Sequence, residues 1–361
     1  MFIKCFVNER GILKIMCDIK VSIVVPIYNL EKYVPRCLDA LVNQTLEEIE
    51  ILCVDDGSKD SAGQIIEDYK KRYPNKVKTF HKENGGEWSA RTYGLKEAKG
   101  EYIGFIDSDD VPEITWAEKL YNAAKENDAD IAFSGYDRVD LDTGKTVSVE
   151  MTQYGTMNKE VDWNDDFIVY ANPSLWNKLY RREIVKDSEF LPFRGCNDTL
   201  FLIRAYMDGA KKLTFIPDVL YHYYLRSSSQ IHSLNLKDIE NLKKYLIVIK
   251  EYSKKIGKYD EYKDTLSNMA FLHLGISWAF MLSYDKDAKM SKELKEITIY
   301  LNENFPEWRN SKLYSIKHCF PKGMKFILIW GVHLVYKLHI PIIYIKVNRF
   351  IRDIMKKEVK W

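Results

Sequence analysis

Short apolar runs, each closed by a polar cluster and followed by a helix-period stripe, recur through the first 140 residues and constrain the fold more than any other feature. Residues 21–25 form a β-branched run that stops at Pro26, the kind of strand buried on both faces of a parallel sheet. Val34, Cys37, Leu38, Leu41 and Val42 then recur at three- and four-residue spacing, which puts one apolar stripe on a helix starting near Tyr33. Residues 50–54 predict a second strand, and Ala62, Ile65, Ile66 and Tyr69 mark a second helix. Strands near 77–80, 102–106 and 131–134 and helices near 88–98 and 116–125 continue the alternation. This spacing implies right-handed crossovers and a mostly parallel central sheet, hence the α/β class. Asn29, the pair Asp55 and Asp56, and the cluster at 107–110 each follow directly on a strand. In open α/β sheets those carboxyl ends form the ligand-binding rim, so three distant segments are expected to converge on one crevice.

Beyond about residue 236 the pattern turns helical: Leu242, Tyr245, Leu246 and Ile249, then 262–284 and 294–301, read as a C-terminal helical appendage. Residues 326–345 are strongly apolar yet carry His333, Lys337, His339 and Pro341, and Lys346, Arg349, Arg352, Lys356 and Lys357 follow. A spanning helix would bury those polar groups at a cost of several kcal/mol. The stretch reads as a basic amphipathic segment lying in a membrane interface, with a packed structural or oligomerisation helix and, last, a true span as the alternatives. Met1 to Cys17 has scattered charges (Lys4, Glu9, Arg10, Lys14) and no long apolar core, so it reads as a loose leader, with Met16 as an alternative start. A formal net charge of +2 gives no nucleic-acid footprint, and nucleic acid is not an expected partner. The six cysteines, Cys5, Cys17, Cys37, Cys53, Cys196 and Cys319, form no C-x-x-C pair and read as reduced, buried thiols of a cytoplasmic protein.

Asp107, Asp109 and Asp110 crowd three carboxylates into four residues after a strand. Their mutual repulsion is relieved by a hard divalent ion, and Mg2+ or Mn2+ takes one or two protein carboxylates and completes its shell with water and phosphate oxygens. The plainer reading is an Asp-rich helix start with Asp110 as a cap.

The ordered set around that cluster decides between the two. Val24-Val25-Pro26-Ile27-Tyr28-Asn29, Val54-Asp55-Asp56-Gly57-Ser58, Glu83-Asn84-Gly85-Gly86, Ala90-Arg91 with Gly94-Leu95, and Gly100-Glu101-Tyr102-Ile103 leading into Asp107-Ser108-Asp109-Asp110 occur in sequence within about ninety residues. The set resembles the family 2 glycosyltransferases, inverting enzymes of the GT-A fold, closely over residues 21–136 and more loosely to 233. The resemblance implies a GT-A catalytic domain at 20–233, after a leader at 1–19, with a helical region at 234–320 and the basic tail at 321–361. It places Pro26, Tyr28 and Asn29 in the nucleotide pocket, with Asp55 or Asp56 accepting from uracil or ribose; a carboxylate suits the ring N–H and a tyrosine face suits the base. Gly86 would let the backbone approach the base and ribose, and Arg91 would supply a cation near them. The metal falls to Asp109, and Asp107, with Ser108 beside it, contacts the ribose or the metal through water. Glu87-Trp88 stands where the family has a small residue, and Thr92 where Asn is common, which leaves the pocket wall and the donor sugar open.

Inversion by direct displacement needs a base facing the departing group. The family draws it from a Glu-Asp pair; here Cys196-Asn197-Asp198 retains Asp198 as the base candidate and has Asn197 for the glutamate. In Ser174-Leu175-Trp176-Asn177-Lys178 the resemblance gives Lys178 to the diphosphate or acceptor and Trp176 to the acceptor floor, although a buried Trp is as often core. Residues 221–229 resemble the loop that covers the bound donor, with Arg226 present and Tyr224 replacing a common basic residue. The implied activity is transfer of a sugar from a UDP-sugar to a hydroxyl of a glycan acceptor, polyprenyl-linked, in bacterial surface polysaccharide synthesis. It would take place at the inner face of the cell membrane, with the tail as the membrane contact. The alternatives are a nucleotidyltransferase, against which the absence of a Gly-rich basic loop after the first strand counts, and a non-catalytic glycan-binding protein on the same fold.

Overall fold

The computed structural model describes residues 4–7, 13–16, 19–193, 195–226, 238–282 and 290–355, with side chains from 19 to 348 within those ranges. The chain divides into two compact units: residues 1–161, 172–192 and 197–232 form the first, and residues 162–171, 193–196 and 233–361 the second. The second unit therefore takes in two segments that a linear division at residue 233 leaves in the first.

Ahead of the sheet, Lys4–Val7 and Leu13–Met16 pair as a two-stranded antiparallel hairpin, so the described part of the leader is not the loose segment its charges suggest.

The first unit is built on one mixed sheet. Its strands are β1 (Val21–Ile27), β2 (Ile49–Asp55), β3 (Val77–His81), β4 (Tyr102–Phe105), the two-residue β5 (Val111–Pro112), β6 (Ile131–Asp140), β7 (Thr146–Glu150), β8 (Met157–Glu160), β9 (Lys178–Arg181) and β10 (Lys212–Leu225). Their order is β8-β10-β6-β9-β4-β1-β2-β3, with β5 on β10 and β7 on β6. The block β4-β1-β2-β3 is parallel throughout, and β6 and β10 form a second, long parallel pair. Between these blocks β9 runs antiparallel to both neighbours.

Helices α1 (Val34–Val42), α2 (Ala62–Arg72), α3 (Glu87–Glu97) and α4 (Trp116–Glu126) follow the strands in the crossovers the sequence predicts, and α5 (Asn197–Met207) precedes β10. Every residue of β1 and β2 is buried, which is why these strands read as continuous apolar runs rather than alternating ones. Close packing is visible at Gly104 of β4, where an added Cβ would lie 2.3 Å from Cη2 of Trp116 on α4.

The chain runs from β1 outward through β2 to β3 and then returns to the other side of β1 to make β4. The β1/β4 boundary is thus the topological switch point, where crossovers diverge and leave a crevice at the strand ends. Registers Ile27↔Asp55 and Val24↔Phe105 put the carboxyl ends of β1, β2 and β4 side by side there.

The second unit is helical: α6 (Asp238–Lys255), α7 (Tyr259–Ala270), α8 (Met290–Asn304), α9 (Met324–Lys337) and α10 (Ile342–Met355), joined by shorter turns. Beyond α7 the chain continues as a widened helix over Phe271–Trp278 and a last turn Ala279–Leu282. Residues 259–282 are the one stretch among the described residues long and apolar enough to cross a membrane, but 72% of its apolar window is buried in the protein, as in a core helix. Phe271 stacks on Trp308 with ring centroids 4.8 Å apart, and the edges of His333 and Tyr336 from α9 close on it. Burial lowers the His333 pKa to about 4, and the neutral ring lies 2.9 Å from the Trp308 carbonyl.

The apolar stretch 326–345 is two helices, not one. His339 adopts φ 62° and Pro341 follows it. Proline has no N–H to continue the ladder and disfavours helical geometry in the residue before it, so the chain turns between α9 and α10. Of the basic tail, Lys356 and Lys357, and the side chains of Arg349 and Arg352, lie outside the described residues.

Candidate active site

At the switch point a cleft of about 410 Å³ opens, lined among others by Pro26, Tyr28, Asp56, Gly86, Asp107 and Asp109. Pro26 lies at the carboxyl end of β1 and the others in the loops that follow β1, β2, β3 and β4, so the strand ends bring the predicted segments together. Ser108 lines the cleft too; its Oγ is buried and has no hydrogen-bond partner among the described residues.

Of the two aspartates ending β2, only Asp56 faces the cleft. Asp55 accepts from the Ser58 N–H at 2.9 Å and bonds His81 Nδ1 at 2.9 Å, so its carboxylate is occupied by the turn and by β3. Asp56 binds Lys82 Nζ at 2.5 Å and the N–H groups of Gly85 at 3.0 Å and Gly86 at 2.7 Å, with Asn84 Nδ2 at 3.1 Å. That carboxylate therefore shapes the glycine loop. Gly86 has φ 90° and ψ 161°, accessible only to glycine, and an added Cβ would lie 2.8 Å from Trp88 Nε1.

Asn29 does not line the cleft. It takes φ 53°, and its Oδ1 accepts from the Lys59 N–H at 2.7 Å, which fastens the β1 loop to the β2 loop. It supports the pocket by holding the two loops together.

The acidic cluster splits three ways. Asp110 is buried and accepts from Tyr221 Oη and the Tyr224 N–H, both at 2.8 Å, which ties the loop after β4 to β10. Asp109 is paired with Arg226, whose guanidinium also sits 5.0 Å from the Tyr33 ring centroid. Burial and the neighbouring Asp107 raise the Asp109 pKa, and Arg226 opposes them. Asp107 Oδ1 accepts from Arg91 Nη2 at 2.7 Å.

Arg91 is not among the residues lining the cleft. Its side chain is 4% exposed and serves three carboxylates: Asp107, Glu87 at 2.5 Å, and Asp198 at 3.0 Å through Nη1. The expected cation near the base is instead a buried hub that fastens Asp198, at the start of α5, to the cluster after β4. Burial raises the Asp198 pKa, Arg91 opposes it and Asp107 adds to it. Arg91→Met takes the cation from three carboxylates that keep 26–48% of their side-chain exposure, so it is expected to lower unfolding free energy by about 1–3 kcal/mol, read from a urea titration.

Two further expectations change. Lys178, on β9, is fully buried, donates to the Ser174 carbonyl and, at 2.7 Å, to Asn177 Oδ1, and lies 4.9 Å from the Phe133 ring centroid. Burial holds its pKa well below the usual lysine value, and Lys178 is not among the residues lining the cleft. Trp176 is 7% exposed and stacks on Tyr221 and Tyr223, with centroids 4.3 and 5.7 Å away; it is a core ring, not an open acceptor floor.

Tyr223 lines the cleft from within the segment 221–229 that the resemblance gave to the donor loop. Motif reading missed Leu30, which also lines it, and Arg36, which is not in the lining but donates to the Asp109 carbonyl at 2.8 Å and stacks on Tyr224 at 3.7 Å. Arg36 sits on the polar side of an amphipathic helix, a position with no local signal of proximity to the acidic cluster.

The match to known proteins agrees with this geometry. The Glycosyl transferase family 2 model covers residues 22–188. A putative glycosyltransferase of Bacillus subtilis, EpsH, is 34% identical over 262 residues, spanning 71% of this chain and 75% of that protein. The glycosyltransferase GlyG of Streptococcus pneumoniae is 36% identical over 220 residues, 58% of this chain and 72% of its own. Among solved structures, S. aureus TarS 1-349 in complex with UDP-GlcNAc superposes with a TM-score of 0.66 at 22% identity, covering 90% of this chain and 91% of that one. The chain belongs to glycosyltransferase family 2 and has the GT-A fold.

Proposed function

We propose that this transferase moves a sugar from a UDP-sugar to a hydroxyl of a glycan acceptor with inversion, in synthesis of a bacterial surface polymer. The observation that carries the reading is the arrangement at the switch point: Asp56, Asp107 and Asp109 face one cleft while Arg91 holds Asp198 to Asp107. The UDP-GlcNAc bound to TarS, which shares this fold, supports the donor class. A similar Bacillus spizizenii protein, 36% identical over 229 residues, is a poly(ribitol-phosphate) beta-glucosyltransferase, which supports a surface-polymer acceptor.

In this reading Tyr28, 45% exposed at the cleft, offers a face to the base, and Asp56 with the Gly85-Gly86 backbone frames it. Asp198 takes the proton of the acceptor hydroxyl as that oxygen bonds to the anomeric carbon. The bond to the UDP oxygen breaks on the opposite face, and UDP leaves with the electron pair. A raised pKa suits Asp198 to this work, because a stronger base takes the proton more readily.

Among the described residues no three His, Cys, Asp or Glu side chains form a metal-holding group. A two-carboxylate set nonetheless fits Mg2+ or Mn2+, which complete their shells with phosphate oxygens. The oxygens of Asp107 and Asp109 already attract guanidinium groups, and both carboxylates border the cleft. Asp109 would hold the ion, with Asp107 reaching it through water; when bound, the ion supplies Lewis-acid neutralisation of the departing diphosphate. Arg226, at the cleft and next to Asp109, is the residue of this chain poised to turn to the diphosphate.

The acceptor in this reading is polyprenyl-linked, and the enzyme works peripherally at the cytoplasmic face of the membrane. Cys37, Cys53 and Cys319 are free and buried, and Cys196 is buried too, which suits a reducing compartment; the side chains of Cys5 and Cys17 lie outside the described residues.

The test is a panel of nucleotide sugars assayed for diphosphate release with Mn2+ or Mg2+ and again with a chelator. Release of UDP from at least one UDP-sugar, lost with the chelator, is the expected result. Release of pyrophosphate instead, or of nothing from any donor, overturns the reading.

A further inference from the structure

Exposed apolar side chains are unevenly spread over this molecule. Of fifteen large ones among the described residues, nine fall between Ile316 and Val347. Helix α9 shows how they are organised. Met324, Leu328, Leu334 and Leu338, at 71%, 50%, 38% and 58% exposure, fall within an arc of about 120° on a helical projection. Ile329, Val332, His333 and Tyr336 occupy the other side and are buried in the unit's aromatic core. Lys325 and Lys337, both exposed, lie one to each side of the apolar arc. Phe320, 67% exposed, precedes the helix by one turn, and Ile343 and Val347 present a similar edge on α10, with exposed Lys346 between them.

The charge is as uneven as the hydrophobicity. Residues 311–361 hold nine Lys and two Arg against one Asp and one Glu, a net +9. Since the whole chain carries +2, the first 310 residues carry −7. An apolar stripe edged by lysines matches the boundary of an anionic bilayer, where the stripe enters the acyl region and the cations meet lipid phosphates. A second copy of the chain is a poor fit, because a twofold contact would set this cationic face against itself. The net negative remainder of the chain is repelled by the same lipid surface.

We infer that the outward face of α9, with Phe320 and the exposed edge of α10, is a docking surface for anionic phospholipid. The inference rests on the membrane placement proposed above and is independent of the transfer chemistry. The stripe is too short to span: α9 has 14 residues, about 21 Å of helix, against ~30 Å of hydrocarbon.

Co-sedimentation of the full chain with vesicles tests it, using phosphatidylcholine alone and phosphatidylcholine containing about one third phosphatidylglycerol, at ~0.1 M salt. The expected result is binding to the anionic vesicles only, weakened at least tenfold by Met324→Ser with Leu328→Ser and, separately, by Lys325→Glu with Lys337→Glu. Both variants should keep the wild-type melting temperature and wild-type UDP release. Anionic binding that survives both double variants overturns this surface and leaves the membrane placement standing. No vesicle binding by the wild type overturns both. Loss of a light-scattering dimer in the serine variant, without lipid binding by the wild type, shows that the face joins two copies instead. If the wild type binds anionic vesicles as described but releases no UDP, the transfer reading falls and this one stands.

Discussion

Asp198→Asn is expected to lower kcat by about 10²–10⁴-fold, the range that general-base catalysis contributes, while the Kd for UDP changes little. The amide keeps the size of the side chain and can still accept from Arg91 Nη1, 3.0 Å from Asp198 Oδ1 in the wild type, so the loss reads proton transfer and not collapse of the site. The pH dependence follows from the same group. The carboxylate is the active form, and burial raises its pKa. The acid limb of the wild-type kcat/KM profile should accordingly lie above the usual aspartate range, with activity falling as pH drops through it. A non-catalytic protein on the same fold predicts no turnover in either form, and single-turnover UDP release separates the two cases.

The second large effect is expected at Asp109. Asp109→Asn should reduce metal-supported turnover by roughly 10²–10³-fold, the scale seen when one stabiliser of developing charge is removed. A binding measurement isolates the cause: titration calorimetry of UDP should show tightening by Mn2+ in the wild type and none in the variant. Without metal, UDP should bind the variant at least as well, because Arg226 loses its carboxylate partner and is free to meet phosphate. Equal Mn2+ tightening in both proteins would remove Asp109 from the metal site.

Much of this architecture is legible in the sequence because it is local. Residues 21–25 and 50–54 announce themselves as buried parallel strands through predominantly apolar composition, broken only by Ser22 and Glu50, and the polar clusters that close them mark the strand ends where the cleft opens. What resists reading is pairing between distant segments. Strand β9 enters the sheet between β4 and β6 and runs against both, and nothing in Lys178–Arg181 specifies those neighbours. The fate of Lys178 follows: the resemblance gives it to the diphosphate or the acceptor, whereas the strand's position buries it against Phe133.

The same holds within the site. Asp55 and Asp56 are chemically identical, and only the path of the chain after β3 decides which carboxylate meets the cleft. Arg91 falls in a family motif, but its partner Asp198 is 107 residues further on, and their meeting depends on α5 lying beside α3. In the tail, hydropathy registers a continuous apolar run; the break comes from backbone geometry at His339 and Pro341, which hydropathy does not weigh.

One guanidinium, that of Arg91, joins Asp198, the proposed base, to Asp107, the carboxylate proposed to lie on the donor side of the cleft. If that proposal holds, base and donor subsites are mechanically linked: an alteration that shifts one drags the other, and sequence change around Asp107 that retunes donor preference also retunes the nucleophile's activator.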